Sequence, residues 1–334
     1  PEPPAGERFP VASTSKTREY IEPNAYIQSD DVGIQRLARE LAGVEKDAFL
    51  AGIILERWVA EQMSFDLGIV FAPATEIFRD RRGTCVGYAT ILATLARAVG
   101  IPSRVAMGYV YALGMLGGHA WTEIRVGESW IPLDAAIVNA GAADATRLLL
   151  VSSSLAEGAG KLSLGAAQQL FGQVDIEVLE FETRGKTVSV PSGANPFIVS
   201  GDRYENPWLE IRFSKPSSYK FGRLDAVWPD RTLAELEGPG SEKAVLEQHE
   251  IYPWEDPRKA VSEKLARMIP GGKQETVTLD GKEVTLISAS GSSPAAGAAV
   301  RGTEVLVWRV EGKNALQLLL QLIKTSEIDS HSYF

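Results

Sequence analysis

One cysteine, Cys85, stands in a chain of 334 residues that has only three histidines, His119, His249 and His331. Cys85 follows Gly83-Thr84 and opens the periodic apolar run VGYATILATLARAV, which is closed by Gly100 and by Pro102 just beyond. That places the thiol on the first turn of a predicted helix, where unpaired backbone N–H groups and the positive end of the helix dipole favour a thiolate. At a buried helix start, the backbone N–H of Cys85 could also serve an oxyanion. The preceding Arg79, Arg81 and Arg82 are most simply a solvated face, and they add positive potential only if they turn towards the thiol. A free cysteine is equally at home as a small buried hydrophobe, so position alone leaves both readings open.

The hairpin that follows narrows the choice. HAWTEIRV and SWIPLDA both alternate in the two-residue period of strands, and Gly127-Glu128 joins them. A two-residue turn pairs Val126 with Ser129, which puts Asp134 opposite Trp121 and His119 opposite Ala136. His119 and Asp134 then share a face as diagonal neighbours, roughly 7–8 Å apart at the backbone and within side-chain reach. A three-residue turn would put them on opposite faces. A cysteine on a helix tip with a His–Asp pair on adjacent strands is the set that thiol acyl transfer needs. The imidazole accepts the thiol proton and returns it to the leaving amine, and the carboxylate orients the ring and stabilises its cation.

Positioning these side chains calls for a helical layer and a sheet. Helices are predicted at 32–43 and 46–64, with apolar residues at three-to-four spacing, and a short one at 74–80. Ser29-Asp30-Asp31 reads as the N-cap of the first. Strands are predicted at 103–111, 119–126, 129–135 and near 146–152, followed by a helix near 164–172 and a strand at 174–182. Gly114, Gly117 and Gly118 make the approach to His119 adaptable, as one lip of a cleft.

The composition is globular: 45% hydrophobic and 23% charged, with a net charge of -9, which argues against a phosphate-backbone partner. Neither half of the chain is basic, so nucleic acid is not expected. One cysteine excludes internal disulfides and cysteine-rich metal clusters. A Cys85/His119/Asp134 zinc site lacks supporting ligand spacing, and no P-loop, dinucleotide fingerprint or EF-hand loop occurs. No metal and no cofactor is expected.

The segment EIFRDRRGTCVGYATILATLARAVGIPSRVAMGYV, followed by GGHAWTEIRVGESWIPLDAA, resembles the core of the transglutaminase-like superfamily of cysteine enzymes. The resemblance rests on a Gly-x-Cys at a helix start, a GIPSR helix exit, a HAW strand and a W…D strand, in that order. It implies an α+β, papain-like fold in which a Cys-bearing helix packs on an antiparallel sheet. Cys85 would be the nucleophile, His119 the base and Asp134 the orienting acid. Ala135-Ala136 departs from the Pro-Thr that often follows the family's aspartate, at the strand exit rather than within the triad. Related enzymes take a second oxyanion donor from a region comparable to Trp58 and Gln62, which share a helix face at i and i+4. Trp121 beside His119 is a candidate wall of the substrate cleft.

The expected organisation is a flexible segment at 1–24, a catalytic domain at 25–185, a linker at 186–206 and a smaller accessory α+β domain at 207–334. Within the last, a helix at 256–269, a hairpin at 274–288 around Asp280-Gly281, a strand at 303–310 and a helix at 313–323 suggest an antiparallel sheet with helices on one face. That arrangement resembles small PsbP-like domains. The run ASGSSPAAGAAVRG at 289–302 reads as a small-residue loop. The expected activity is cysteine protease, amidase or transglutaminase chemistry on a protein or peptide through a thioester. The competing reading is a non-catalytic interaction module that keeps the fold. The polar, Pro-rich opening is of a kind that follows a removed signal peptide or a membrane anchor, so an extracytoplasmic protein of bacterial type is favoured, although the lack of disulfides fits the cytoplasm equally.

Overall fold

The computed structural model describes residues 7–69, 71–112, 115–138, 142–143, 146–157, 176, 179–183, 186–189, 197–206, 211–224, 232–279, 282–291, 293–301 and 303–328. It is a mixed α+β structure, and its contacts divide the chain into two compact units. One comprises Pro1–Ala112 with Leu116–Asp175, and the other Leu113–Met115 with Ile176–Phe334.

In the first unit, helices α1 (Arg18–Ile21), α2 (Val32–Ala42), α3 (Ala48–Gln62), α4 (Ala74–Asp80) and α5 (Cys85–Ala98) lie with a four-stranded sheet. Strands β1 (Ser64–Phe65) and β2 (Arg82–Gly83) form a short parallel pair just before α5. The sheet contains β3 (Ser103–Ala112), β4 (Met115–Val126), β5 (Ser129–Leu133) and β6 (Arg147–Ser153), in the order β5-β4-β3-β6. The helix starts follow local chemistry: Asp31 Oδ1 accepts from Ile34 N at 2.9 Å, and Asp47 Oδ1 accepts from Phe49 N and Leu50 N at 2.9 and 3.0 Å. The β4–β5 register pairs Val126 with Ser129 and Thr122 with Leu133, as the two-residue turn requires. Gly117 and Gly118, read as part of a loop, lie within β4, and Gly114 falls outside the described residues.

Small residues set how closely the helices approach the sheet. Ala89 and Ala93 on α5 pack with Ala120, Val105 and Met107 in one buried cluster that Cys85 edges. Thr122 Oγ1 donates to Ala89 O at 2.9 Å, tying the strand of His119 to the helix of Cys85 one turn from its start. Gly52 does the same for α3, because a Cβ there would lie 2.6 Å from Ile124 Cδ1 and 2.8 Å from Leu133 Cδ1. The far end of α5 is pinned by the buried Arg97, which donates to the carbonyl oxygens of Ser103, Glu22 and Ser154.

The opening segment is more ordered than its composition suggests. Arg8 bridges Asp47, Phe9 and Thr17 are buried, and Val11 N donates to Gly100 O at 2.9 Å. One aromatic anchor and backbone pairing outweigh the Pro- and Ser-rich sequence around them, and residues 1–6 fall outside the described residues.

The second unit holds a paired β7 (Glu180–Thr183) and β8 (Lys186–Ser189), then β9 (Ile198–Ser200), β10 (Arg203–Asn206), β11 (Ile211–Ser214), β12 (Lys220–Phe221), β13 (Thr232–Glu237) and β14 (Lys243–Glu250). These are followed by α6 (Pro257–Met268), β15 (Lys273–Leu279), β16 (Lys282–Ser288), β17 (Ala295–Arg301), β18 (Glu304–Glu311), α7 (Ala315–Thr325) and β19 (Glu327–Ile328). A seven-stranded antiparallel sheet runs β12-β13-β14-β18-β17-β16-β15, and a four-stranded one runs β19-β11-β10-β9. Three expectations are corrected here. The 186–206 linker contains β8, β9 and β10, and Tyr204 and Asn206 are buried, because Tyr204 stacks on Phe213 with ring centroids 4.9 Å apart. The 289–302 loop contains β17, a strand inside the large sheet. Its small residues let α7 close in, since a Cβ on Gly297 would lie 2.8 Å from Ile323 Cδ1. Helices cover both faces of the sheet rather than one: α6 packs on Ile287, Ala296, Ala298, Val305 and Val307, and α7 on Leu286, Ala295, Leu306, Trp308 and Val310. Strands apolar at every position, such as Val305–Trp308, demand cover on both sides. The helix expected near 164–172 and the Asp280-Gly281 turn fall outside the described residues. Among the described residues, no helix is long and apolar enough to cross a membrane.

Gly52→Leu is expected to lower stability by about 1–3 kcal/mol, because the added side chain has no room between α3 and the sheet. Urea unfolding checks this, and an unchanged midpoint would show that the helix can retreat at no cost.

Candidate active site

The three side chains singled out in the sequence converge. Cys85 is the first residue of α5, is partly exposed, and is near enough to the His119 ring to raise its pKa. His119, on β4, is 6% exposed, and its Nε2 lies 2.7 Å from Asp134 Oδ2. An ionised carboxylate can only accept, so Nε2 carries a proton, and Nδ1 is the nitrogen left to face the thiol. Asp134 follows β5 directly and is 1% exposed.

Burial disfavours the Asp134 charge, but five hydrogen bonds answer it. Besides His119, Arg147 donates to Oδ2 from Nε at 2.9 Å and from Nη2 at 2.7 Å. On the other oxygen, Oδ1 accepts from the backbone N–H groups of Ala136 and Ile137 at 3.1 and 3.0 Å. Arg147 Nη2 also donates to Ile137 O at 2.9 Å, so the same guanidinium clamps the turn that carries the aspartate. Burial pushes the carboxyl up; the charges and hydrogen bonds of His119 and Arg147 outweigh it and hold Asp134 well below the usual carboxylate range. For His119, burial pushes down, yet Asp134 and then Cys85 win and raise the imidazole to about 9. At neutral pH the ring is therefore an imidazolium between the Asp134 carboxylate and the Cys85 sulfur.

Two participants escaped the sequence reading. Arg147 is the first residue of β6, and nothing in its neighbourhood announces a partner 13 residues earlier. Glu56 did leave a signal. The buried stripe of α3 runs Ala48, Ala51, Gly52, Leu55, Glu56, Val59 and Ala60, so a carboxylate occupies an interior helix position. Its Oε1 accepts from Asp134 N at 2.6 Å.

Gln62 is exposed. Trp58 carries the Arg81 guanidinium over its ring at 4.2 Å, with Phe78 on the same cation at 4.3 Å. Among the described residues, no hydrogen bond joins Trp58 or Gln62 to Cys85 or His119. Arg79 pairs with Asp80 and Arg82 with Asp66, so the basic triplet forms local contacts. Trp121 is 2% exposed, and its ring stacks beside that of His119 with centroids 6.4 Å apart. His249 pairs with Glu247 in the second unit. Among the described residues, no group of three or more His, Cys, Asp or Glu side chains is placed to hold a metal.

Residues 35–135 match the family model of the transglutaminase-like superfamily. No curated protein matches the sequence. Among solved structures, a provisionally assigned cysteine protease from Cytophaga hutchinsonii is similar at 24% identity over 46% of this chain and 53% of that one, with a TM-score of 0.40. This chain thus spans about half the length of that neighbour. A TGase structure aligns at 19% identity over 31% of this chain and 29% of its own, with a TM-score of 0.23. PsbP from Synechocystis sp. PCC 6803 aligns at 9% identity over 42% of this chain and 98% of its own, with a TM-score of 0.29.

A base whose pKa rises on folding contributes stability that is whole below its unfolded value and lost as pH climbs through the folded one. His119 therefore stabilises the fold fully below about 6.5 and not above about 9. Asp134→Asn removes the counter-charge, and burial then dominates, so the His119 midpoint is expected to fall to 6.5 or below by NMR titration. The same change leaves Arg147 buried without its carboxylate, at a cost of about 3–5 kcal/mol in urea unfolding. A midpoint that stays near 9 would show that Asp134 does not set the charge on the ring.

Proposed function

We propose that this transglutaminase-like core is a thiol enzyme that opens amide bonds in a protein or peptide substrate by acyl transfer through a thioester on Cys85. The supporting observation is the buried His119–Asp134 hydrogen bond, 2.7 Å long, beside Cys85 at the N-terminal tip of a helix. The imidazolium supplies the positive charge a thiolate needs, and the helix end adds to it.

In the reaction, Sγ attacks the substrate carbonyl carbon as a thiolate, its proton already resting on the His119 imidazolium. The negative charge that develops on the carbonyl oxygen lies at the helix start, where the backbone N–H of Cys85 can donate to it. Collapse breaks the C–N bond, and His119 protonates the departing amine, leaving the acyl group on sulfur. Water then attacks the thioester with His119 as base, returning the acid and the free thiol; an amine in place of water yields a new amide. Asp134 keeps the ring oriented throughout and balances its charge, and Trp121 walls the ring on one side. Both outcomes share the first half-reaction, and hydrolysis ranks at least level with cross-linking.

The test is alkylation of Cys85 by iodoacetamide across pH. The wild-type thiol is expected to react rapidly below about pH 7, whereas His119→Ala should follow an ordinary thiol with its rise near pH ~8.5. Identical profiles for the two proteins would sink the enzyme reading and favour an interaction module that keeps the fold.

A further inference from the structure

We propose that Glu56 is a positioning residue for the Cys85–His119–Asp134 array and works as an uncharged carboxylic acid, fixing the backbone of Asp134 through Oε1. The proposal rests on the thiol-enzyme reading for its functional meaning. Glu56 is 1% exposed on the inner stripe of α3, between Leu55 and Val59 and one turn beyond Gly52, the close-approach point to the sheet. Its Oε1 takes the Asp134 N–H at 2.6 Å, just where β5 ends and the ladder offers that N–H no strand partner. The other oxygen, Oε2, is buried with no hydrogen-bond partner.

Charge balance argues that the group is neutral. Arg147 spends both of its short carboxylate contacts on Asp134, and the imidazolium of His119 faces Asp134 on one side and Cys85 on the other. A second carboxylate behind Asp134 would be a buried anion with one oxygen lacking any donor and no cation of its own, an arrangement that costs several kcal/mol. A neutral acid escapes that cost and still accepts through its carbonyl oxygen. The direction of its titration agrees: burial foremost pushes Glu56 up, the Asp134 N–H pulls it down, the Asp134 carboxylate pushes it up and Arg147 pulls it down, leaving it at about 8. Those are the charged groups that act on it; α2 and α5, which also pack on α3, contribute none. An alkyl side chain here would leave the Asp134 N–H unpaired, whereas an amide would keep its acceptor.

The experiment follows the His119 ring by NMR titration in the full chain, alongside Cys85 alkylation, for wild type, Glu56→Gln and Glu56→Ala. Glu56→Gln is expected to keep the His119 midpoint and the alkylation rate at pH 7 near wild type. Glu56→Ala is expected to lower the midpoint by about one unit as Asp134 loosens. A midpoint in Glu56→Gln that falls as far as in Glu56→Ala would overturn the neutral form, and an unchanged midpoint in Glu56→Ala would overturn the positioning role. Should Glu56→Ala not fold, the glutamine variant decides through stability. A carboxyl raised on folding takes up a proton, so wild type loses stability as pH rises from about 4.5 through 8. Glu56→Gln should lose less over that span, and an identical slope would overturn the proposal. Because the ring titration does not depend on thiol reactivity, an ordinary thiol at Cys85 with a responsive His119 would reject the enzyme reading alone.

Discussion

The site depends on keeping one carboxylate ionised where water cannot reach it. Asp134 is buried, and a lone buried anion would neutralise itself; two cationic groups and two backbone N–H groups hold it charged instead. Each donor comes from a different part of the unit: His119 from β4, Arg147 from β6, and the N–H groups from the turn after β5. The charge therefore acts as a fastening point for the sheet's outer strands, and the ring of His119 is aligned because the anion is aligned. Loss of any one contact would be felt at the thiol through the ring.

The helical layer completes this arrangement from the opposite side. α5 is brought against the sheet by alanines and by the Thr122–Ala89 hydrogen bond, and α3 by the absence of a side chain at Gly52. Close packing there sets the site's geometry: Cys85 comes near His119, and Glu56 reaches the Asp134 backbone, because both helices sit tightly on the sheet. Small residues next to a polar cluster thus have a positional role that their own chemistry does not reveal. The second unit uses the same device at Gly297, under α7, to build a sheet covered on both faces.

Much of the first unit was legible in the sequence because its signals are local. Helix periodicity, the Asp31 cap and the Gly127-Glu128 turn each act within a few residues, and the turn alone fixed which face His119 and Asp134 share. The opening segment and the 186–206 stretch were misread because composition was weighed over single anchors: Phe9 and Tyr204 bury themselves whatever surrounds them. The Ala- and Gly-rich β17 was misread as a loop because small residues signal both turns and close packing, and only neighbours distinguish the two.

The sequence by itself put Cys85 at a helix start and His119 and Asp134 on one face of a hairpin, since helix periodicity and a two-residue turn are local signals. Tertiary structure decided the rest: that Arg147 and Glu56 meet at Asp134, and that the Trp58 ring carries the Arg81 guanidinium. The physical reason is range. Caps, turns and periodicity are written in adjacent residues, whereas the balance of buried charge is settled by groups far apart in the chain, brought together when the helices and the sheet close.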